Sequence, residues 1–208
     1  MSELSELKDE LERLEGNKDY AAMAALRERI VAEHSESEEA VEALYKLGLH
    51  SLFYERALGP ATERFELAAK KKHEYWSAAA RTSLGICYYH QGRGQKALFE
   101  LRRVGYSEVP TEHTITALSF METIHANEAE EEEVVRVRQE RIKQLRSLIS
   151  DMRSEPSVDF GQYLFSLAAA LHDEGEHDDA SAALGEAREL GPEVLGAELY
   201  QAVASGFS

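Results

Sequence analysis

The chain has 208 residues, 43% hydrophobic and 30% charged, with only 4 prolines and a single cysteine. Those figures exclude a chain disordered throughout and an intramolecular disulfide framework, and they favour a soluble all-α protein of a reducing compartment. With 39 acids against 23 bases the net charge is -16, which repels phosphate backbones and argues against a nucleic-acid partner.

The opening stretch is acidic and amphipathic, without the basic-then-apolar pattern of a signal peptide. No window approaches the eighteen or so uninterrupted apolar residues of a membrane span, so a cytoplasmic location is expected. Leu4, Leu7, Leu11 and Leu14 recur at helical spacing, and Gly16-Asn17 ends that stripe. A second stripe, Tyr20, Met23, Leu26, Ile30 and Val31, runs to about Glu33. The two form a first hairpin over 2–34.

Ser35 with Glu38 reads as a capping box opening the next helix. Val41, Leu44, Tyr45, Leu47, Gly48 and Leu52 follow in phase. Pro60 suits a first helical position. Ala61, Phe65 and Ala68 then mark a partner helix ending in Lys70, Lys71 and Lys72, which completes a hairpin over 36–72. The third hairpin, 75–109, turns at Gly92-Arg93-Gly94; small Gly85 and Ala97 let its two backbones approach closely.

Thr111 caps the next helix, with Ile115, Leu118, Phe120, Met121 and Ile124 on its apolar side. Asn127 with Glu130 reads as a capping box for a long helix to Met152. Val135, Ile142, Leu145, Leu148, Ile149 and Met152 supply its buried stripe, and Glu132 and Arg136 make a favourable i,i+4 pair. This fourth hairpin covers 111–153. Glu155-Pro156-Ser157 breaks the chain, and a fifth hairpin, 158–190, turns at Gly175. A capping helix over 192–205 covers the last face.

Leu47-Gly48, Leu84-Gly85 and Leu167-Ala168 each pair a leucine with a small residue, and Phe65, Leu101 and Leu184 each sit four after an alanine. Ala97 and Ala180 lie twelve after Gly85 and Ala168. This resembles the tetratricopeptide repeat, a 34-residue helix-turn-helix unit with the pattern W-x₂-L-G-x₂-Y…A-x₃-F…P. Segments 78–111 and 161–194 match best, and 41–69 matches fairly. Arg81 and Leu164 stand where the pattern has tryptophan, and Leu171 where it has tyrosine. The resemblance implies an all-α, right-handed superhelical solenoid of about five hairpins plus a capping helix, forming a single domain over 1–208. Each hairpin can bury its stripe only against its neighbours.

The resemblance also implies a concave face lined by the first helix of each unit. Its groove positions here are Tyr45, Leu49, Leu52 and Phe53; Thr82, Ile86, Tyr89 and His90; and Gln162, Phe165, Ala169 and His172. Thr116, Phe120 and Thr123 follow from the fourth hairpin. The Lys, Asn and Arg set with which some relatives clamp a terminal carboxylate is largely missing, so an apolar helix or extended segment with aromatic anchors suits the groove better.

A second candidate surface is electrostatic. From Lys70 to Arg103 there are eight bases and two acids, net +6, which leaves -22 on the remainder. Lys70, Lys71, Lys72, Arg93, Lys96, Arg102 and Arg103 make a basic band suited to an acidic segment, including one from a second copy.

No glycine-rich phosphate loop, G-x-S-x-G or H-E-x-x-H occurs, so no cofactor, metal or catalytic set is expected. The run from His172 to Asp179 is rich in metal-type ligands but straddles a turn and lacks a spaced ligand set. Cys87 and His90 share a helix face without a third ligand. The expectation is a non-enzymatic adaptor or scaffold that binds a protein or peptide, without nucleic acid or membrane. The alternatives are a cytoplasmic secretion-type chaperone, a metal-dependent enzyme centred on His172 and His177, and a homo-oligomer assembled through the basic band.

Overall fold

A computed structural model describes residues 3–154 and 157–206. The expected break at Glu155 and Pro156 lies outside the described residues. Among the described residues there are twelve helices and no strand. The chain divides into two compact units, Met1–Val104 and Gly105–Ser208.

The first unit holds α1 (Glu3–Gly16), α2 (Tyr20–Glu33), α3 (Glu38–Phe53), α4 (Leu58–Ala69), α5 (Glu74–His90) and α6 (Gly94–Gly105), whose last residue opens the second unit. Each helix lies against the next in the series α1 to α5, and α3 also meets α5. That is the stacking expected of hairpins that cannot bury their apolar stripes alone. Leu7, Leu14, Met23, Leu26 and Ile30 close the first hairpin and bury Ala40 and Ala43 of α3 beneath them.

Two glycines of the first unit set close approaches between helices. A Cβ added at Gly48 would stand 2.4 Å from Cε1 of Phe65, and one at Gly85 would stand 2.6 Å from Cγ of Leu101 and 3.3 Å from the Ala97 carbonyl oxygen. The small residues after Leu47 and Leu84 are therefore sockets for the large residue of the partner helix.

The second unit holds α7 (Glu112–Asn127), α8 (Glu131–Met152), α9 (Val158–Asp173), α10 (His177–Glu189), α11 (Gly191–Leu195) and α12 (Ala197–Ser205). Its core joins Ile142, Leu145 and Ile149 of α8 to Phe160, Leu164 and Leu171 of α9 and Leu184 of α10. Thr111 caps α7 in a reciprocal box with Thr114. Gly175, at φ 82°, makes the α9–α10 turn where a left-handed residue is needed.

Several local expectations are corrected. The cap of α3 is Ser37, whose hydroxyl accepts from the Ala40 N–H, while Ser35 turns to Glu36. The α2–α3 link is a tight turn in which Ser37 N–H bonds the His34 carbonyl, and this moves the helix start on by two residues. Pro60 is the third residue of α4 rather than its first, a position where its missing N–H would be unpaired anyway.

At α8 the expected Asn127–Glu130 box does not form; Glu130 takes the N-cap position without a side-chain cap bond. Its carboxylate instead meets Nδ1 of buried His125 at 2.5 Å. Val137, not Val135, is buried, because it shares the inward flank with Gln144 while Val135 falls beside Glu131 and Glu132. Arg136 pairs with Glu133 at 3.4 Å rather than with Glu132. The single capping helix is two, broken at Gly196 with φ 75°. The short α11 turns Leu195 onto α9, where a Cβ at Gly161 would stand 2.0 Å from its Cδ2.

Candidate interaction surfaces

On α3, Leu49 and Leu52 are half-buried and Phe53 is 68% exposed. Tyr45 is taken up in packing, with its ring 5.9 Å from Phe65 and 5.7 Å from Trp76. Trp76 also meets Tyr75 edge-on at 4.8 Å, and the Lys46 ammonium lies 5.7 Å from its centroid. On α5, Ile86 and Tyr89 are half-buried and His90 is exposed, the two rings 5.4 Å apart. Thr82 corrects the groove expectation. It is buried, and its hydroxyl donates to the Ala78 carbonyl one turn back, so it does not face a ligand.

The C-terminal end of α3 carries an aromatic cluster that sequence reasoning missed. Tyr54 lies 4.8 Å from Tyr20 and stacks on His50 at 5.2 Å. Tyr20 and Tyr54 are 42% and 58% exposed, so this cluster extends the apolar surface beyond Phe53. Its parts come from different helices, and only chain folding brings them together.

In the second unit, Gln162 is exposed, and Phe120, Phe165, Ala169 and His172 are half-buried. Thr116 and Thr123 turn their hydroxyls back to the Glu112 and Ser119 carbonyls. Phe165 rests on the core formed by α8, α9 and α10.

The expected basic band falls at two places within the first unit. Lys70, Lys71, Lys72 and His73 line a surface depression with Glu36, Ser37, Glu38 and Val41. Lys71 is already held there by Glu36 at 3.0 Å and by the Ser35 carbonyl at 2.9 Å. Arg93, Lys96, Arg102 and Arg103 belong to α6 and its lead-in; the Arg93 guanidinium lies 4.7 Å over the Tyr88 ring. Arg81 turns inward instead, bonding Glu100 at 2.7 Å and the Ala69 carbonyl at 2.6 Å, and so ties α4, α5 and α6.

Most other charges brace helices. Arg64 joins Glu28 of α2 at 2.6 Å to Ser51 and the Leu47 carbonyl of α3. In the second unit Glu122 holds Arg138 at 2.7 Å and Arg141 at 3.0 Å, and Arg138 also reaches Glu174 at 3.1 Å.

Burial perturbs the acidity of several packed groups. Burial pushes the Cys87 thiol up, against a weaker opposing bond to Thr62, which keeps it protonated and unreactive. Burial, then the Glu66 carboxylate, pushes Tyr88 up to about 12. Burial lowers His113.

His172 and His177 bring their rings to 5.0 Å, and no third ligand joins them among the described residues. The group whose ligand atoms do converge is Glu3, Glu33 and His34. There Arg29 bonds Glu33 at 2.9 Å and Glu3 at 2.8 Å, so a fixed guanidinium already supplies the positive charge that a metal would bring. No helix among the described residues is long and apolar enough to cross a membrane.

The hairpins, their sockets and their order define an all-α helical-repeat fold of the tetratricopeptide type. No family model matches the chain, and no curated protein matches it in sequence. Solved structures are similar in fold. A structure of MamA aligns with TM-score 0.52 at 17% identity, over 88% of this chain and 95% of that one. A second MamA structure gives 0.53 at 17%, over 89% and 90%. BtubC (BKLC) from P. vanneervenii gives 0.59 at 13%, over 94% and 82%.

Proposed function

We propose that the chain is a non-catalytic protein-interaction module, an adaptor or scaffold that holds an extended or helical segment of a partner protein. The observation that carries this reading is on α3 and α5. Leu49, Leu52 and Phe53, and then Ile86 and Tyr89, stay partly exposed at helical spacing while Leu44, Leu47, Leu84 and Cys87 of the same helices are buried. These two helices lie against each other within one unit. Half-exposed aliphatic and aromatic side chains on rigid helices are the anchors that peptide recognition uses.

The ion pairs support the same reading. Arg29, Arg64, Arg81 and Glu122 are spent on joining helices, which braces each unit internally.

The test is Phe53→Ser, at an exposed position, combined with Tyr89→Ser, at a half-buried one, with folding checked by far-UV circular dichroism. Partners recovered from the native host should be held about 30-fold more weakly, the loss expected of a hot-spot anchor. Equal recovery of the same partners by the variant would rule out this face.

A further inference from the structure

Acids outnumber bases in this chain, 39 to 23, so any cation on the surface has carboxylates to choose from. The outer face of α6 stands apart. Ala97, Leu98, Leu101 and Val104 turn inward and are buried. Lys96, Phe99, Arg102 and Arg103 project the opposite way and are exposed. At 100° per residue Phe99 falls at the middle of that outward arc, with the cations on either side.

The one acid of α6, Glu100, is drawn to the inward rim by Arg81 at 2.7 Å. Among the described residues no carboxylate pairs with Lys96, Arg102 or Arg103. Phe99 is 60% exposed, and the Arg103 guanidinium lies 5.7 Å from its ring centroid. The helix therefore presents an aromatic side chain ringed by unneutralised positive charge, in a protein whose net charge is -16.

The start of α8 has the same layout with the sign reversed. Glu131 and Glu132 occupy its first turn, Glu128 precedes it, and all three are exposed. Glu133 is paired with Arg136 and Glu130 with His125, whereas Glu128, Glu131 and Glu132 have no ion-pair partner among the described residues. Val135, one turn on, is 41% exposed.

We infer that the outer face of α6 in one copy docks on the first turns of α8 in a second copy. Phe99 meets Val135, and Lys96, Arg102 and Arg103 meet Glu128, Glu131 and Glu132. The two halves of this contact are different patches, α6 of one copy against α8 of another. The net charges of two copies repel, so the attraction is short-ranged; at about 0.15 M salt the Debye length of about 8 Å screens the overall repulsion while contact pairs persist. The contact uses none of the α3 and α5 anchors, so it stands or falls separately from the partner-binding reading.

The test uses the full-length chain in sedimentation velocity and light scattering at about 0.15 M salt. The wild type should exceed its 23.3 kDa monomer mass, increasingly with concentration. Lys96→Glu with Arg103→Glu, and separately Glu131→Lys with Glu132→Lys, should each stay monomeric, the contact weakened about tenfold or more. An equimolar mixture of the two charge-reversed proteins should associate again, since each then carries the half that the other lacks.

All six substituted or contacted charges lie at the surface, and unchanged far-UV circular dichroism of each variant verifies the fold. A wild type that remains monomeric at about 100 μM overturns the inference. So does association that survives both reversals, or a mixture that stays monomeric. Binding of monomeric wild type to anionic lipid vesicles or to single-stranded RNA, abolished by Lys96→Glu with Arg103→Glu, would assign the patch to another kind of partner and equally overturn it.

Discussion

Gly48→Ala is the sharpest test of how the hairpins close. The added Cβ would stand 2.4, 2.7 and 2.9 Å from three ring atoms of Phe65, where carbon atoms prefer about 3.5–4.0 Å. Phe65 is fully buried, and its ring lies 5.9 Å from that of Tyr45, so it has little room to withdraw. Overpacking of this kind costs about 1–3 kcal/mol, and three simultaneous contacts place it at about 2–3. Alanine returns about 1 kcal/mol of helix preference over glycine. The net expectation is a loss of about 1–2 kcal/mol.

Gly185→Ala in α10 is the control, because nothing lies within 4 Å of its new methyl; there the helix preference is unopposed and stability should rise by about 0.5–1 kcal/mol. Urea denaturation followed by far-UV circular dichroism measures both. Phe65→Leu added to Gly48→Ala should cost less than the two single changes summed, since the smaller side chain vacates the contested space. If Gly48→Ala proves as stabilising as Gly185→Ala, the socket account of the α3–α4 contact is wrong.

Ser37→Ala should cost about 1 kcal/mol in the same assay while Ser35→Ala leaves the midpoint unmoved, because only the former removes a helix cap. Tyr88 gives a pH dependence. Its hydroxyl donates to Glu66 at 2.5 Å, and its folded-state pKa is raised from 10.0 to about 12. Its contribution to stability is complete below pH 10 and is lost as pH rises through about 12, where the unfolded chain ionises first. Across that window Tyr88→Phe should lose less stability than the wild type; parallel losses would contradict the assignment.

The close approach at Gly85 and Ala97 could be read from the chain because small residues at facing helical positions leave room for it, whereas the Leu101 side chain that fills the space was found only in the structure. The side chains that the repeat pattern placed on a groove, Leu49, Leu52, Phe53, Ile86 and Tyr89, were left partly exposed on α3 and α5. Thr82 was not: the repeat pattern places it in the groove, and only the neighbouring helices decide how far the face is covered. Two serines before α3 fit a cap equally well, and the length of the preceding turn chose Ser37. Glu130 was misassigned because its real partner, His125, sits on the preceding helix and carries no local mark. The cation bridges of Arg64 and Glu122 join side chains far apart in the chain, which no periodicity reveals. The charge excess from Lys70 to Arg103 was visible in sequence, but its division into a local Lys71–Glu36 pair and an unneutralised outer face of α6 required the contacts themselves.

The chain has one tryptophan, and Trp76 sits where α3 meets α5, against Tyr45. Fluorescence excited selectively at tryptophan is thereby a reporter seated in the first unit. Comparing its melting trace with the ellipticity of the whole chain would show directly whether the halves come apart as one event or in sequence, with no label attached.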